Sequence, residues 1–284
     1  LAPGEYILHE EQAPTEQGYV RAEDVKFVVE ETGDVQKVKM EDDHTKVSIS
    51  KTDITDGKEI EGAKLQILDQ DGEVVESWTT GEEHLIEYLP VGTYTLHEEA
   101  AVDGYIVAND VEFTVEETGE IQKMKMEDER AMGQLVIVKT DTDSKAALEG
   151  VEFVLLEKET GKEGRLKTGK DGKAVSELLP IGTYENGVFK EPITYVLKET
   201  ATLKGYEKTE EEWEIVFTYQ NDKTPVIEVV KEIQNKKIPE TPGTVKPGPK
   251  TGDDTNWFLP LLALGVSAGM VAGLLYYRKR HKKA

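Results

Sequence analysis

The chain has 284 residues, no cysteine, and 57 acidic against 34 basic side chains, which gives a formal net charge of −23. Without cysteine no disulfide can stabilise a domain, and so acidic a chain with no basic stripe argues against nucleic acid as a partner. The sequence has no spaced zinc-ligand pairs and no Gly-x-Ser-x-Gly motif, so we expect no enzyme activity, no cofactor and no metal site.

An internal repeat organises the first 237 residues. The segment Leu-Ala-Pro-Gly-Glu-Tyr-Ile-Leu-His-Glu-Glu at Leu1 returns at Leu89 as Leu-Pro-Val-Gly-Thr-Tyr-Thr-Leu-His-Glu-Glu, an offset of 88 residues. That period is the size of one small domain. Copy one begins within the repeat, so we expect it to be the C-terminal half of a domain and the chain to be part of a longer protein. The three copies are copy one (1–44), copy two (45–130) and copy three (131–237).

Short apolar-polar alternation predicts that every copy is built from β-strands. Turn pairs such as Asp71-Gly72 and Asp171-Gly172 separate the alternating segments, and no helical period is sustained before residue 257. This pattern is typical of antiparallel β-sandwiches. Copy three is longer because a hairpin-like stretch, residues 185–193, is inserted into it. The predicted fold is therefore all-β, with tandem sandwiches.

Strand periodicity also predicts that ionisable side chains point into the sandwiches. Residues two apart share one face of a strand, so Lys51 lies on the face of Val47 and Ile49. The same parity directs inward a further lysine, two glutamates and two possible acceptors, namely Lys139, Glu98, Glu199, Asp128 and Asn235. Burial of such groups is costly unless they are paired or neutralised, and it lowers the pKa of lysine.

A buried neutral lysine beside a carboxamide or carboxyl group can form a covalent bond. The amine can attack the side-chain carbonyl of Asn or Asp, while a protonated Glu polarises that carbonyl and shuttles protons. The product is an amide that ties the first strand of a domain to its last. The alternative is a set of partly exposed residues or a buried ion pair without a bond.

These features resemble the SpaA/Cna B-type repeats of Gram-positive adhesins and pilins. The resemblance covers nearly all of residues 1–237. It rests on the hydrophobic-x-hydrophobic-x-Lys-x-Asp opening at Lys51 and Lys139, and on the Tyr-x-Leu-x-Glu box that ends at Glu98 and Glu199, with a Gly-Tyr pair after each box. It implies tandem Ig-like or prealbumin-like β-sandwich domains.

The resemblance also implies a spontaneous isopeptide bond within a domain. In copy three it would join Lys139 to Asn235 with the assistance of Glu199. In copy two Lys51 and Glu98 would act with Asp128, and Glu127, one register off, is the other candidate acceptor. Copy one retains the corresponding glutamate and aspartate but not a lysine, and these residues are Glu10 and Asp42.

The C-terminal part predicts a spacer and a membrane span. Residues 238–256 are rich in proline and glycine, which favours an extended linker long enough to cross a cell wall. Residues 257–277 carry no charge and would form a helix of roughly 31 Å, the thickness of a bilayer core. The basic tail, residues 278–284, should stay in the cytoplasm, so the domains should face outward.

A sorting motif is predicted just before the span. Pro249, Lys250, Thr251 and Gly252 resemble the end of a Leu-Pro-x-Thr-Gly sortase signal, with Gly248 at the leucine position. The resemblance implies sortase as a transient partner and transfer of Thr251 to a peptidoglycan precursor. The alternative is a plain membrane anchor through residues 257–277.

Together these patterns predict a structural stalk of a cell-wall-anchored surface adhesin. We expect it to be exported to the cell surface and to present an upstream region to an unknown host or surface ligand. Two alternatives remain at the level of the sequence. The chain could be a pilin subunit, or it could be the spacer and anchor of an envelope enzyme whose catalytic domain lies upstream.

Overall fold

The computed structural model describes residues 1–239, which are built from strands with a single short 3-10 helix at Thr15–Gln17. The all-β prediction is confirmed for this part of the chain. Within residues 1–239 no helix is long and apolar enough to cross a membrane. The sorting motif and the predicted span at 257–277 lie outside the described residues, as does all but the start of the predicted spacer.

Copy one forms two short strand pairs. In one pair β1 and β3 run antiparallel, and in the other β2 and β4 do so. The apolar side chains of β1 and β3 stay half-buried or exposed, because no second sheet covers them among the described residues. The strands are β1 (Gly4–Leu8), β2 (Tyr19–Val20), β3 (Val25–Val29) and β4 (Asp43–His44).

Copy two is a sandwich of two four-stranded sheets, with strand orders β10-β12-β5-β8 and β11-β9-β6-β7. Its core lies between the sheets and contains Val47, Ile49, Leu65, Leu96 and Met126. The strands are β5 (Lys46–Asp53), β6 (Lys64–Leu68), β7 (Val74–Thr79), β8 (His84–Glu87), β9 (Gly92–Ala100), β10 (Tyr105–Ile106), β11 (Val111–Val115) and β12 (Ile121–Arg130).

Copy three repeats this plan and adds a hairpin. One sheet is centred on β13, which pairs with β16, β17 and β22, and the other has the order β15-β14-β20-β21. The inserted stretch forms the separate hairpin β18–β19. The strands are β13 (Met132–Asp141), β14 (Glu152–Glu157), β15 (Glu163–Lys167), β16 (Lys173–Val175), β17 (Leu179–Pro180), β18 (Gly182–Glu185), β19 (Val188–Pro192), β20 (Thr194–Ala201), β21 (Glu212–Val216) and β22 (Val226–Asn235).

The first and last strands of copies two and three differ from the antiparallel prediction. β5 pairs with β12 in parallel, and β13 pairs with β22 in parallel. Parallel neighbours need a long connection rather than a tight turn, and here the rest of the domain is that connection. Alternation along a single strand carries no signal for the direction of its neighbour, so sequence patterns did not reveal this pairing.

Candidate functional site

Two adjacent strands and a strand of the opposite sheet bring the predicted residues of copy three together. Lys139 lies near the end of β13, and its backbone partner on β22 is Ile233. Asn235 stands two residues further along β22, on the same face. Glu199 comes from β20, which belongs to the opposite sheet. We call Lys139, Glu199 and Asn235 the triad of copy three.

The side chains of this triad are in direct contact inside the core. The Lys139 Nζ atom lies 2.7 Å from Glu199 Oε2 and 2.5 Å from Asn235 Oδ1. The Asn235 amide donates to Glu199 Oε1 at 2.6 Å. Lys139 is 0 % exposed, and the other two are at most 4 % exposed. The amine, the carboxyl and the carboxamide therefore form a closed ring of contacts without water access.

A β-bulge places the glutamate in each site. The register between β14 and β20 shifts between Glu152 and Phe153, directly at the partner of Glu199. The register between β6 and β9 shifts at the corresponding point, where Leu65 faces Glu98. A bulge bends a strand and re-aims the neighbouring side chain. The glutamate is thus directed into the core next to the lysine.

Burial and the neighbouring carboxyl act in opposite directions on Lys139. Burial lowers the pKa of the Lys139 amine, and the hydrogen bond and charge of Glu199 only partly offset this effect. Desolvation penalises the charged ammonium form, which has no water shell in the core. The ring of Phe153, 5.7 Å from Nζ, forms part of the apolar wall. A lowered pKa favours the neutral, nucleophilic amine.

Copy two builds the equivalent site with an aspartate. The Lys51 Nζ atom pairs with Asp128 Oδ1 and lies 2.9 Å from Glu98 Oε2, and all three side chains are fully buried. The same Glu98 oxygen accepts the backbone N–H of Ala108 at 2.6 Å. We call Lys51, Glu98 and Asp128 the triad of copy two. It has two acidic groups for one amine, where copy three has one.

The second acid changes the electrostatics of copy two. Burial raises the pKa of Asp128 to about 7, with a smaller rise from the Glu98 carboxyl, while Lys51 opposes the shift. One oxygen of each carboxyl, Glu98 Oε1 and Asp128 Oδ2, has no hydrogen-bond partner among residues 1–239. Two buried carboxylates with a free oxygen each favour uptake of a proton. Burial beside Glu98 therefore favours the neutral form of Asp128.

The other predicted acceptor and the residues of copy one lie elsewhere. Glu127 faces outward and pairs with Lys125, so it does not reach the triad of copy two. In copy one Glu10 accepts the backbone N–H of Ala22 at 2.7 Å, as Glu98 does from Ala108. Asp42 is exposed, and within residues 1–239 no hydrogen bond or ion pair joins it to Glu10.

Sequence patterns missed two buried groups, one in contact with the triad of copy three and one near the triad of copy two. Thr202 Oγ1 accepts the amide of Asn235 at 2.7 Å, so it orients the carboxamide. Asp53, two residues after Lys51, is fully buried and accepts a hydrogen bond from Tyr105 Oη at 2.7 Å. Asp53 lies on the same face of β5 as Ile49 and Lys51, so the alternation that predicted the burial of Lys51 also predicts the burial of Asp53 when it is followed two residues further. Thr202 had no such signal, because it follows the end of β20.

The part of the chain that the structure describes holds no group of three metal-ligating side chains placed to bind a metal ion.

A family model of the SpaA prealbumin-like fold domain matches residues 45–130 and again residues 133–233. The chain belongs to this family. The two matched segments contain both triads, apart from Asn235, which lies two residues beyond the second match. No curated protein matches this SpaA-like chain in sequence.

Solved structures include similar folds. The SpaA-like chain is 30% identical to the Bacillus anthracis TIE protein, with a TM-score of 0.52, and the match covers 84% of this chain and 43% of that protein. This chain thus spans less than half the length of the TIE protein. A shaft pilin SpaA from Lactobacillus rhamnosus GG is 13% identical, with a TM-score of 0.28 and coverage of 70% and 99%.

Proposed function

We propose that the chain is the structural stalk of a cell-wall-anchored surface protein whose sandwiches are locked by autocatalytic isopeptide bonds. The observation that carries the proposal is the contact of a buried amine with a buried acceptor in both complete copies. The bonds would join Lys139 to Asn235 and Lys51 to Asp128. Membership of the SpaA-like family supports a structural role.

The bond of copy three would form by aminolysis of the carboxamide. The neutral Lys139 amine attacks the Asn235 Cγ atom, and the protonated Glu199 carboxyl gives its proton to the departing Nδ2, which Oε1 contacts at 2.6 Å. The other carboxyl oxygen, Oε2, lies 2.7 Å from the lysine nitrogen and takes the proton that this nitrogen loses. The new N–C bond replaces the C–N bond of the amide, and one ammonia leaves.

The bond of copy two would form by condensation with a carboxylic acid. The Lys51 amine attacks the Asp128 Cγ atom, and the C–O bond breaks as the protonated Glu98 gives a proton to the departing hydroxyl, which leaves as water. Glu98, 2.9 Å from Lys51 Nζ, then takes the proton that the lysine nitrogen loses. The acid must be neutral for this step, because a carboxylate is a poor electrophile. The raised pKa of Asp128, about 7, supplies the neutral form near physiological pH.

The placement of the two bonds suits a chain under tension. A pulling force enters copy three at the start of β13 and leaves at the end of β22, which run parallel. A covalent link between Lys139 and Asn235 passes that force along β13 and across the bond. The chain between these two residues, which are 96 positions apart, then carries no load. Copy two has the same arrangement through β5 and β12.

Intact-mass spectrometry tests the cross-links. The purified chain should weigh one ammonia and one water less than its sequence, and each deficit should disappear when the lysine of its own copy is changed to arginine. Lys125→Arg, at an exposed site, is the matched control and should keep both deficits. A parent chain of unshifted mass would overturn the cross-link proposal.

Attachment to the wall completes the proposal. The Pro249–Gly252 motif would be read by sortase, which would join Thr251 to a peptidoglycan precursor after residues 257–277 had held the chain in the membrane. Extraction of cells with detergent, with and without muramidase, tests this step. Release only after muramidase is expected. Release by detergent alone would leave a membrane-anchored stalk.

A further inference from the structure

The connection between copies two and three is a single residue. β12 ends at Arg130 and β13 begins at Met132, so only Ala131 lies between them. Ala131 is fully buried, and its N–H donates to the Gly104 carbonyl at 2.8 Å. Domains joined through small contacts usually move relative to each other. A buried one-residue linker shortens the connection, but the orientation of the two domains depends on further contacts between them.

The inserted hairpin of copy three contacts the end of copy two. The Tyr184 hydroxyl, on β18, donates to the Gly104 carbonyl at 2.9 Å, and its ring packs edge-to-face on Tyr105 at 5.2 Å. The backbone at Gly187, in the hairpin turn, lies so close to Glu59 that a Cβ there would be 2.3 Å from the Glu59 carbonyl oxygen. The hairpin therefore fits directly against copy two.

An arginine connects the linker to both domains. The Arg130 guanidinium bonds Asp53 Oδ2 at 2.6 Å and Asp56 Oδ2 at 3.0 Å, both in copy two. The same group lies over the ring of Tyr184 at 4.1 Å. A guanidinium held by two carboxylates and stacked on an aromatic ring has little freedom to reorient. It joins the hairpin to the strand that carries Lys51.

Further contacts come from a second part of copy three. The Tyr219 hydroxyl donates to the Tyr105 carbonyl at 2.9 Å, and the Val107 N–H donates to the Asp222 carbonyl at 2.9 Å. Both bonds come from the loop between β21 and β22, which is separate from the hairpin. Two separate elements of copy three thus hold one end of copy two, which restrains rotation as well as bending.

The Gly-Tyr pair of each copy marks the surface used for this contact. A Cβ at Gly104 would lie 2.7 Å from the Tyr184 hydroxyl, and one at Gly18 would lie 2.3 Å from the backbone of Tyr88 in copy two. At Gly205, in copy three, no atom of the described residues lies within 4 Å of that position. In the first two copies the glycine therefore lies directly against a tyrosine of the following domain, where a side chain would collide with it.

We propose that the hairpin β18–β19 is a clasp that binds the Gly104–Tyr105 end of copy two and fixes the orientation of copy three. The surface on copy two consists of Gly104, Tyr105, Glu59 and Arg130, and the partner that it fits is an aromatic hairpin of the next SpaA-like domain. This role is independent of isopeptide bond formation, because none of the clasp residues belongs to a triad.

Distance measurement between two spin labels tests the clasp. The chain has no cysteine, so Glu112→Cys in copy two and Glu163→Cys in copy three provide unique sites on exposed strand positions. The full chain should give one narrow distance distribution. Tyr184→Ala should broaden it about twofold or more, since freed domains move relative to each other.

Two further variants separate the clasp from general damage to copy three. Arg130→Gln removes the stacked guanidinium from the side of copy two and should also broaden the distribution. Lys190→Ala lies in the same hairpin, where Lys190 contacts Glu185, and should leave the width unchanged. Circular dichroism of each variant verifies the folded sandwiches. Folded Tyr184→Ala and Arg130→Gln chains with the parent width would overturn the clasp.

Discussion

The triads of copies two and three have the same geometry but differ in the functional group of the acceptor. In both, a lysine on the first strand meets a glutamate from the opposite sheet and an acceptor on the last strand. The acceptor is a carboxamide in copy three and a carboxyl in copy two, which changes the number of buried acids from one to two. The two bonds that we propose would therefore form by reactions that differ in leaving group and in proton requirement.

Loss of the general acid should have the largest effect. Glu199→Gln should block the bond of copy three, because Gln cannot accept or deliver a proton, and the ammonia deficit should vanish. A closed loop of about 100 residues stabilises by about 4–5 kcal/mol in the chain-entropy model, so the transition of copy three should fall by roughly 20 °C or more. Calorimetry measures the shift.

Glu98→Gln is the matched change in copy two and should remove only the water deficit. Glu212→Gln, at an exposed position of β21, is the surface control and should move neither the mass nor the transition by more than a few degrees. Retention of the ammonia deficit in Glu199→Gln would contradict the role given to Glu199.

The pH dependence of bond formation should separate the two copies. In copy three, transfer of one proton from Lys139 to Glu199 yields the reactive form without a net change in bound protons. In copy two the reactive form of the triad holds one proton more than the form in which all three side chains are ionised. The pKa of Asp128, about 7, sets the pH above which that proton is lost. Above about pH 7 the rate in copy two should fall about tenfold per pH unit, as the neutral fraction does.

Time-resolved mass spectrometry measures both rates in one chain. The starting material is the chain recovered unfolded from inclusion bodies and refolded between pH 6 and 9. The ammonia loss should proceed at a similar rate across this range, while the water loss slows. Equal pH profiles for the two losses would show that Asp128 does not need to be neutral.

Exchange of the acceptors should exchange these properties. Asp128→Asn should convert the water deficit of copy two into an ammonia deficit and abolish the slowing above pH 7. Asn235→Asp should do the reverse in copy three, because a buried aspartate beside Glu199 would also have a raised pKa. Intact mass and the same refolding series read out both changes, and an unchanged pH profile in both variants would contradict the proton argument.

The smallest effect is expected at the hydroxyl that orients the carboxamide. Thr202→Ala removes the acceptor of Asn235 Nδ2, a single hydrogen bond worth about 0.5–1.5 kcal/mol. Bond formation in copy three should slow by about two- to tenfold and still reach completion. Ala101 stands at the corresponding position of copy two, so the proposed bond there would form without this contact. A rate unaffected by Thr202→Ala would make the hydroxyl dispensable.

The alternation of residues along each strand predicts the fold and the buried residues of the triads, whereas the pairing of the strands is known only from the structure. The all-β fold and the inward direction of Lys51, Glu98 and Asp128 follow from residues two apart on a strand. The parallel pairing of β5 with β12 does not, because it depends on which strands become neighbours. The bulges beside Glu98 and Glu199 and the raised pKa of Asp128 likewise arise from packing across two sheets.

The hairpin of copy three shows the same limit. Its position in the sequence, residues 185–193, was predicted as an insertion, and the structure starts the hairpin at Gly182. Its contact with copy two was not predicted, since Tyr184 and Gly104 are 80 residues apart. Only the structure shows that the glycine of a Gly-Tyr pair faces the next domain.

Peptide mapping by tandem mass spectrometry tests the central claim most directly. After proteolysis of the denatured chain, a branched peptide should join Lys139 to Asn235 with the loss of one ammonia, and a second should join Lys51 to Asp128 with the loss of one water. Recovery of these four residues only in linear peptides of unmodified mass would contradict the account.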